Sequence, residues 1–359
     1  MDEQQSARKP AWKRVVKIFA IILAVLLLVL LAIAGIAFLY VDNMMDRLNY
    51  VDSDTTVSPE VASSIDMEEW ITIDPEDSEP VVDATDVTFP TEPAPPEEQG
   101  DHIVNIMLVG QDARPGEPPQ RSDSMILMTF NKITGEVTLT SFLRDQYVQI
   151  PGYGNTKLCH AYSYGGMTLL NQTLANHYGI EIDGNVTINF ECFKEIIDRL
   201  GGVEITLTWD EASALNNLES EKKWRLKPGV QLLTGEQALR YARLRHIDSD
   251  YQRTERQRKV ILSVVEAYKD KPLMEMMELL EEAMPLFTTN IPKDRIYRYA
   301  VGLFPLMTQA DIKSQRLPAA GTFQSGLIKV SEGYNAWCEY NIDFQANRKL
   351  LEELFDEEI

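Results

Sequence analysis

The stretch His102 to Gly110 reads "HIVNIMLVG". It is an almost unbroken apolar run of strand length, closed by a glycine. A strand with one wet face would alternate with polar residues, so this pattern predicts a strand covered on both faces. Asp123–Asn131, "DSMILMTFN", is a second such run. Val137–Leu143, "VTLTSFL", alternates at period two and runs directly into Arg144 and Asp145. Together they predict a central sheet with helices on each side.

Helical patterns supply those layers. Gly165–Tyr178 places Leu169, Leu170, Leu174 and Ala175 on one side. "FECFKEIIDRLGG", Phe190–Gly202, is a helix with a glycine stop after Leu200, followed by the strand "VEITLT". "TGEQALRYAR" opens with Thr234 and Gln237 in a capping-box arrangement. Gln252–Tyr268 is a longer helix with Val260, Ile261, Val264 and Val265 on its apolar face. Further on, "MEMMELLEEAMPLF" is helical, "DIKSQRLPAAG" is a strand entering a turn, and "FQANRKLLEELFDEEI" is a closing helix. Alternating strands and helices make the fold class α/β, a layered α–β–α arrangement.

Charge is distributed unevenly over the 359 residues. The formal net charge is -21, but 18 Asp or Glu against one basic residue fall between Val41 and Asp101. Residues 102–359 carry only -7 of the total. The acidic stretch 41–101, proline-bearing and poor in apolar clusters, reads as an extended extracytoplasmic linker. Ile18–Tyr40 contains no charge and is long enough to span a bilayer, which needs roughly 20 apolar residues. Arg8, Lys9, Lys13, Arg14 and Lys17 precede it. By the positive-inside rule, 1–17 is a cytoplasmic tail, 18–40 a signal anchor, and the remainder lies outside the cell. The run exceeds the ~7–15 residues of a signal-peptide core, which disfavours a cleaved leader.

Cys159, Cys192 and Cys338 have no zinc-type spacing; outside the cell a disulfide between two of them is an open alternative to three thiols. No histidine lies in a nucleophile motif, and no G-x-S-x-G or Walker sequence is present. Nucleic acid is a poor partner for a net-acidic, extracytoplasmic domain without an aromatic-interleaved basic strip.

The chemistry concentrates in three places. In "GQDARPGEPPQRSDSM", Asp112 and Asp123 sit at adjoining strand ends beside Arg114 and Arg121. Two such carboxylates can share one Mg2+, or they can cap turns and pair with those arginines. Arg144 ends an alternating strand. The richest stretch is Tyr241–Lys259, "YARLRHIDSDYQRTERQRK". An extended chain would turn Arg243 and Arg245 to one side, while Arg253, Arg256 and Gln257 share a helix face. Asp248 and Asp250 can orient guanidinia. Several planar guanidinium forks suit phosphate. Arg258 and Lys259 read as a solvated helix face, and Arg256 stays open between the two roles.

The ordered series "GQDAR", "RSDSM", "SFLRD", "IPGYGNTKLCHAYSYGG", "GGVEI", "LTGEQALRYARLRH" and "DYQRTERQ" resembles the LytR-CpsA-Psr family of bacterial cell-envelope proteins. The likeness covers roughly 102–268, within a catalytic domain expected over 102–359. It implies a central mixed sheet and a membrane phosphotransferase that moves an anionic glycopolymer from undecaprenyl pyrophosphate to peptidoglycan. In the family pattern the positions of Asp112 and Asp123 bind Mg2+ or Mn2+. Those of Arg121, Arg144, Arg243, Arg245, Arg253 and Gln257 hold the pyrophosphate, with Asp112, Arg144 and Arg253 catalytic. Lys157 matches a further recurring position, and Cys159 departs from the small polar residue common there. A hydrolase at the same site and a non-catalytic lipid-phosphate binder or regulator are the alternatives.

Overall fold

The computed structural model describes residues 39–51, 56, 58, 81–90, 92–95, 99–111, 122–217, 224–245, 247–269, 271–309, 312–331 and 334–356. The chain divides into two units, Met1–Leu48 and Asn49–Ile359. In the first, residues 39–45 are helical. Among the described residues no helix is long and apolar enough to cross a membrane. The expected anchor, Ile18–Tyr40, lies outside them except for its last two residues, and the tail 1–17 lies wholly outside.

In the second unit the strands are β1 (Asn49–Tyr50), β2 (Val81–Asp83), β3 (Ile103–Gln111), β4 (Ser122–Asn131), β5 (Val137–Phe142), β6 (Tyr147–Ile150) and β7 (Gly154–Lys157). They continue as β8 (Gly184–Asn189), β9 (Val203–Leu207), β10 (Gly229–Leu233), β11 (Thr288–Thr289), β12 (Ile312–Leu317), β13 (Gln324–Ser331) and β14 (Tyr334–Tyr340). A seven-stranded sheet has the order β1-β11-β8-β3-β4-β5-β12. It is mixed: β3 is parallel to β8 and antiparallel to β4, and β5 is antiparallel to β4 and parallel to β12. In consequence the ends of β3, β5, β8 and β12 and the start of β4 meet at one edge.

The apolar runs are buried on both faces, as their pattern requires. Met107, Val109, Met125 and Leu127 pack on one side with helix α1 (Leu158–Tyr178). Val104, Ile126, Met128 and Phe130 pack on the other with Leu303. Each large side chain so buried contributes about 1.5–3 kcal/mol. The remaining helices are α2 (Phe190–Arg199), α3 (Trp209–Asn217), α4 (Gly235–Ala242), α5 (Asp250–Lys269), α6 (Leu273–Ala283), α7 (Lys293–Gln309) and α8 (Phe344–Glu352).

Several boundaries differ from those the pattern predicts. Helix α1 begins at Leu158, not Gly165, because Gly165 and Gly166 kink a longer helical span rather than start one. The closing helix ends at Glu352: the amides of Leu354 and Phe355 bond back three residues, and both side chains turn onto the core. Helix α7 and the hairpins β6–β7 and β13–β14 carry no clear periodicity and escape a pattern reading. From the acidic stretch, β1 pairs with β11 and β2 with β13, and Val87 is buried beside Ile328. Most of the rest of 51–80 lies outside the described residues. The three cysteines stand as thiols, Cys159 and Cys338 buried and Cys192 partly so.

Candidate active site

Asp123 is the second residue of β4, and Arg144 follows the end of β5 by two residues. The antiparallel pairing of β4 with β5 sets Met125 opposite Phe142, which brings the two side chains to the same sheet edge. Arg144 Nη1 donates to Asp123 Oδ1 at 2.8 Å, and its Nε lies 3.3 Å from Asp145 Oδ2. Lys157 Nζ reaches the other oxygen of Asp145 at 2.9 Å. Lys157 and Arg144 are thus oriented by one carboxylate.

The second wall comes from α4, α5 and the loop joining them. The α4 capping box forms as the sequence predicts, with Thr234 and Gln237 exchanging bonds. Asp198 of α2 accepts from the Gly235 amide at 2.7 Å, tying the two helices together. Their contact is close: a Cβ on Gly235 would stand 2.2 Å from the Lys194 carbonyl oxygen. Arg243 caps the far end of α4, its guanidinium 4.3 Å over the Phe190 ring. Arg245 follows, 3.8 Å from Asp123 Oδ1.

On α5, Arg253 is 2% exposed and fixed at both ends of its fork. Asp250 holds Nε at 2.6 Å and Nη2 at 2.9 Å, and Nη1 donates to the Asp123 carbonyl at 3.2 Å. Arg256 faces elsewhere. It forms a two-pronged pair with Asp248 at 2.7 and 2.8 Å and donates to the Leu244 carbonyl at 2.6 Å. This resolves its open role: it braces the loop carrying Arg243 and Arg245. Arg258 corrects the solvated-face expectation. It is buried and donates to Ser141 Oγ at 2.7 Å, because this face of α5 packs on β5. Lys259 is exposed and pairs with Glu255.

One cavity of about 750 Å3 gathers these groups. Asp123, Arg144, Arg243, Arg245, Arg253 and Gln257 all line it. Its remaining wall is chiefly apolar, with Leu108 and Ile126 from the sheet, Phe193 and Ile197 from α2, and Val260 and Val264 from α5. Partial burial, then the neighbouring Arg253 and Arg144 charges, hold the Arg245 pKa below the usual arginine value. Such crowding of like charge marks a place that an anion would stabilise. Asp112 and Arg121 lie outside the described residues. The family resemblance implies a hydrophobic pocket within the fold, but residue-by-residue reading did not identify the residues that line it. Its signal was present in the Val260–Val265 face, but that face reads equally well as ordinary core.

A family model described as the LytR_cpsA_psr family matches residues 71–354. The chain is 32% identical over 213 residues to the polyisoprenyl-teichoic acid–peptidoglycan teichoic acid transferase TagT of Bacillus subtilis (strain 168). That stretch covers 58% of this chain and 65% of TagT, just under two thirds of the relative's length. The transferase TagU of Enterococcus faecalis (strain ATCC 700802 / V583) is 34% identical over 230 residues, covering 62% of this chain and 72% of TagU. A structure of TagT bound to LIIa-WTA is similar with a TM-score of 0.58 at 27% identity, covering 77% of this chain and 99% of that one. YwtF (TagT) with bound octaprenyl pyrophosphate lipid is similar at 0.55 and 25%, with the same coverage. The family match runs through the central sheet, the arginine-bearing helix and the C-terminal hairpin, and by it the chain belongs to the LytR_cpsA_psr (LytR-CpsA-Psr) family.

Proposed function

We propose that this chain is a membrane-anchored phosphotransferase that moves an anionic glycopolymer from undecaprenyl pyrophosphate to peptidoglycan, forming a phosphodiester. The observation that carries the reading is that one cavity gathers the site's arginines and has an otherwise chiefly apolar wall. A polyprenyl pyrophosphate has the same two-part chemistry: a compact polyanion on a long hydrocarbon. The relatives named as teichoic acid transferases and the lipid-bound YwtF support the same donor class.

In this reading the acceptor hydroxyl oxygen bonds to the sugar-side phosphorus. The bond from that phosphorus to the bridging oxygen breaks, and prenyl monophosphate leaves with the electron pair. Arg144, Arg245 and Arg253, which line one cavity, would offset the charge growing on the leaving phosphate. Because Asp250 and Asp123 already hold these forks in place, little reorganisation accompanies transfer. Asp112 is the candidate to take the hydroxyl proton.

The donor set suits Mg2+ or Mn2+. Mg2+ commonly takes one or two protein carboxylates and leaves its other positions to phosphate and water. Asp123, whose Oδ1 accepts from Arg144, would supply one carboxylate, and Asp112 would supply the second. The cation would offset charge on the phosphate oxygens. The run Ile18–Tyr40 would anchor the chain, with the N-terminus cytoplasmic and the catalytic domain outside.

The test is incubation of the full chain with a synthetic polyprenyl-pyrophosphate sugar, Mg2+ and peptidoglycan oligomers. A phosphodiester-linked product is expected. Free sugar phosphate would make the protein a hydrolase, and unchanged donor would make it a binder.

A further inference from the structure

Beyond Arg144, the same sheet edge carries another arginine. β12 runs parallel to β5 with Arg316 opposite Ser141, so Arg316 stands one strand, roughly 5 Å, from the strand that leads into Arg144. Its guanidinium carbon lies 4.2 Å over the Tyr251 ring, and among the described residues no carboxylate is ion-paired with it. Arg258 stands behind, bonded to Ser141 Oγ; burial and then the Arg316 charge hold its pKa below the usual arginine value. Among the described residues, then, this corner holds the Arg316 charge without a paired acid, while Glu255 acts on Arg258.

Aromatic rings frame it. Tyr251 meets Phe323 edge-on at 5.8 Å, and its hydroxyl lies 3.0 Å from Ser325 Oγ. In the β13–β14 hairpin, Ser325 is opposite Glu339, and Trp337 lies two residues before Glu339 on the same face. Trp337 is 46% exposed, one of the large apolar side chains the fold leaves in solvent. The patch is continuous with the arginine clamp: Tyr251 adjoins Asp250, the partner of Arg253, within one turn of α5.

Flat aromatic faces suit the apolar C–H faces of sugar rings, and an unneutralised guanidinium suits a carboxylate. A polyanionic polymer would call for a run of cations. Here, among the described residues, Arg316 stands as one cation among rings, with the Asp250 carboxylate close by. We propose that Tyr251, Phe323, Arg316 and Trp337 form the acceptor subsite, taking a glycan strand that bears carboxylate-ended substituents. This rests on the transfer reading. It places a sugar ring on Tyr251 so that its hydroxyl comes toward a phosphate held by Arg253 and Arg144.

The experiment uses the full chain in nanodiscs with Trp337→Ala, Arg316→Gln and the pair, each checked for folding by circular dichroism. Two quantities are read: binding of peptidoglycan oligomers without donor, and KM for oligomer and for donor during transfer. The expected result for the pair is a loss of roughly tenfold or more in oligomer affinity and acceptor KM, with octaprenyl pyrophosphate affinity within about twofold of wild type. Unchanged oligomer binding in the folded double variant overturns the proposal. So does weakened binding of a polymer-bearing donor with bare octaprenyl pyrophosphate unaffected, which would assign the patch to the donor's polymer. A wild type that binds oligomer through these residues yet transfers nothing would support the subsite and sink the transferase reading.

Discussion

Arg253 and Arg256 lie three positions apart on one helix and have opposite surroundings. Arg253 faces the cavity, held by Asp250, while Arg256 is locked to Asp248 and the Leu244 carbonyl. Arg256→Met should therefore cost roughly 2–3 kcal/mol in urea unfolding, the worth of charge-assisted bonds removed from a buried site. It should also weaken binding of octaprenyl pyrophosphate by loosening Arg243 and Arg245, a change that calorimetric titration reads. Glu339 has a different kind of consequence. It is 3% exposed, its Oε2 has no hydrogen-bond partner among the described residues, and its surroundings include Asp145, Asp250, Lys157, Tyr178 and Tyr251. Burial, then the Asp145 and Asp250 charges, push its pKa up to about 8 from 4.5. The native state thus keeps a proton that the unfolded chain has already lost. This group's contribution is fully favourable below pH 4.5 and falls away as pH rises toward 8. Glu339→Gln should flatten that component, so the gain in urea midpoint over wild type is larger at pH 8 than at pH 5.

Helix α1 illustrates how an element hides a break. Gly166 sits inside it at φ 57° and ψ -147°, a conformation closed to residues with a Cβ. Gly166→Ala should cost about 1–3 kcal/mol, measured as a lower thermal midpoint, because the kink lets Tyr162 and Leu169 both reach the core. Helix α5 carries both halves of the proposed chemistry, Arg253 and Gln257 at the mouth and Val260 and Val264 in the apolar body. Val264→Trp should fill the body, reducing affinity for octaprenyl pyrophosphate while leaving affinity for inorganic pyrophosphate unchanged. Equal loss of both ligands would show instead that the substitution had displaced the mouth.

For the chain as a unit, the anchor expectation has a direct readout. The full chain should sediment with membranes, and a chain beginning at Val41 should be soluble and still bind octaprenyl pyrophosphate. Much of the arrangement was legible beforehand. The apolar runs Ile103–Gly110 and Met125–Phe130 announced a doubly covered sheet, because burial on both faces removes the usual alternation; β5 alternates and is nevertheless buried throughout. Thr234 and Gln237 announced a helix start, because capping is a contact between near neighbours. The clamp residues were legible as residue types. Their division was not: Arg256 and Arg258 share the composition of Arg253, and only the packing of α5 against the α4–α5 loop and β5 turns one to the cavity and the others inward. Nor could spacing reveal that Val260 lines a cavity while Phe130 fills a core, since both satisfy the same periodicity. Local pattern determined strands, caps, the apolar N-terminal run and the stock of anion-binding side chains, all of which depend on near neighbours. Tertiary structure decided which guanidinia meet, which are consumed as braces and where the apolar space stays open, because these depend on residues far apart in sequence approaching within a few ångströms.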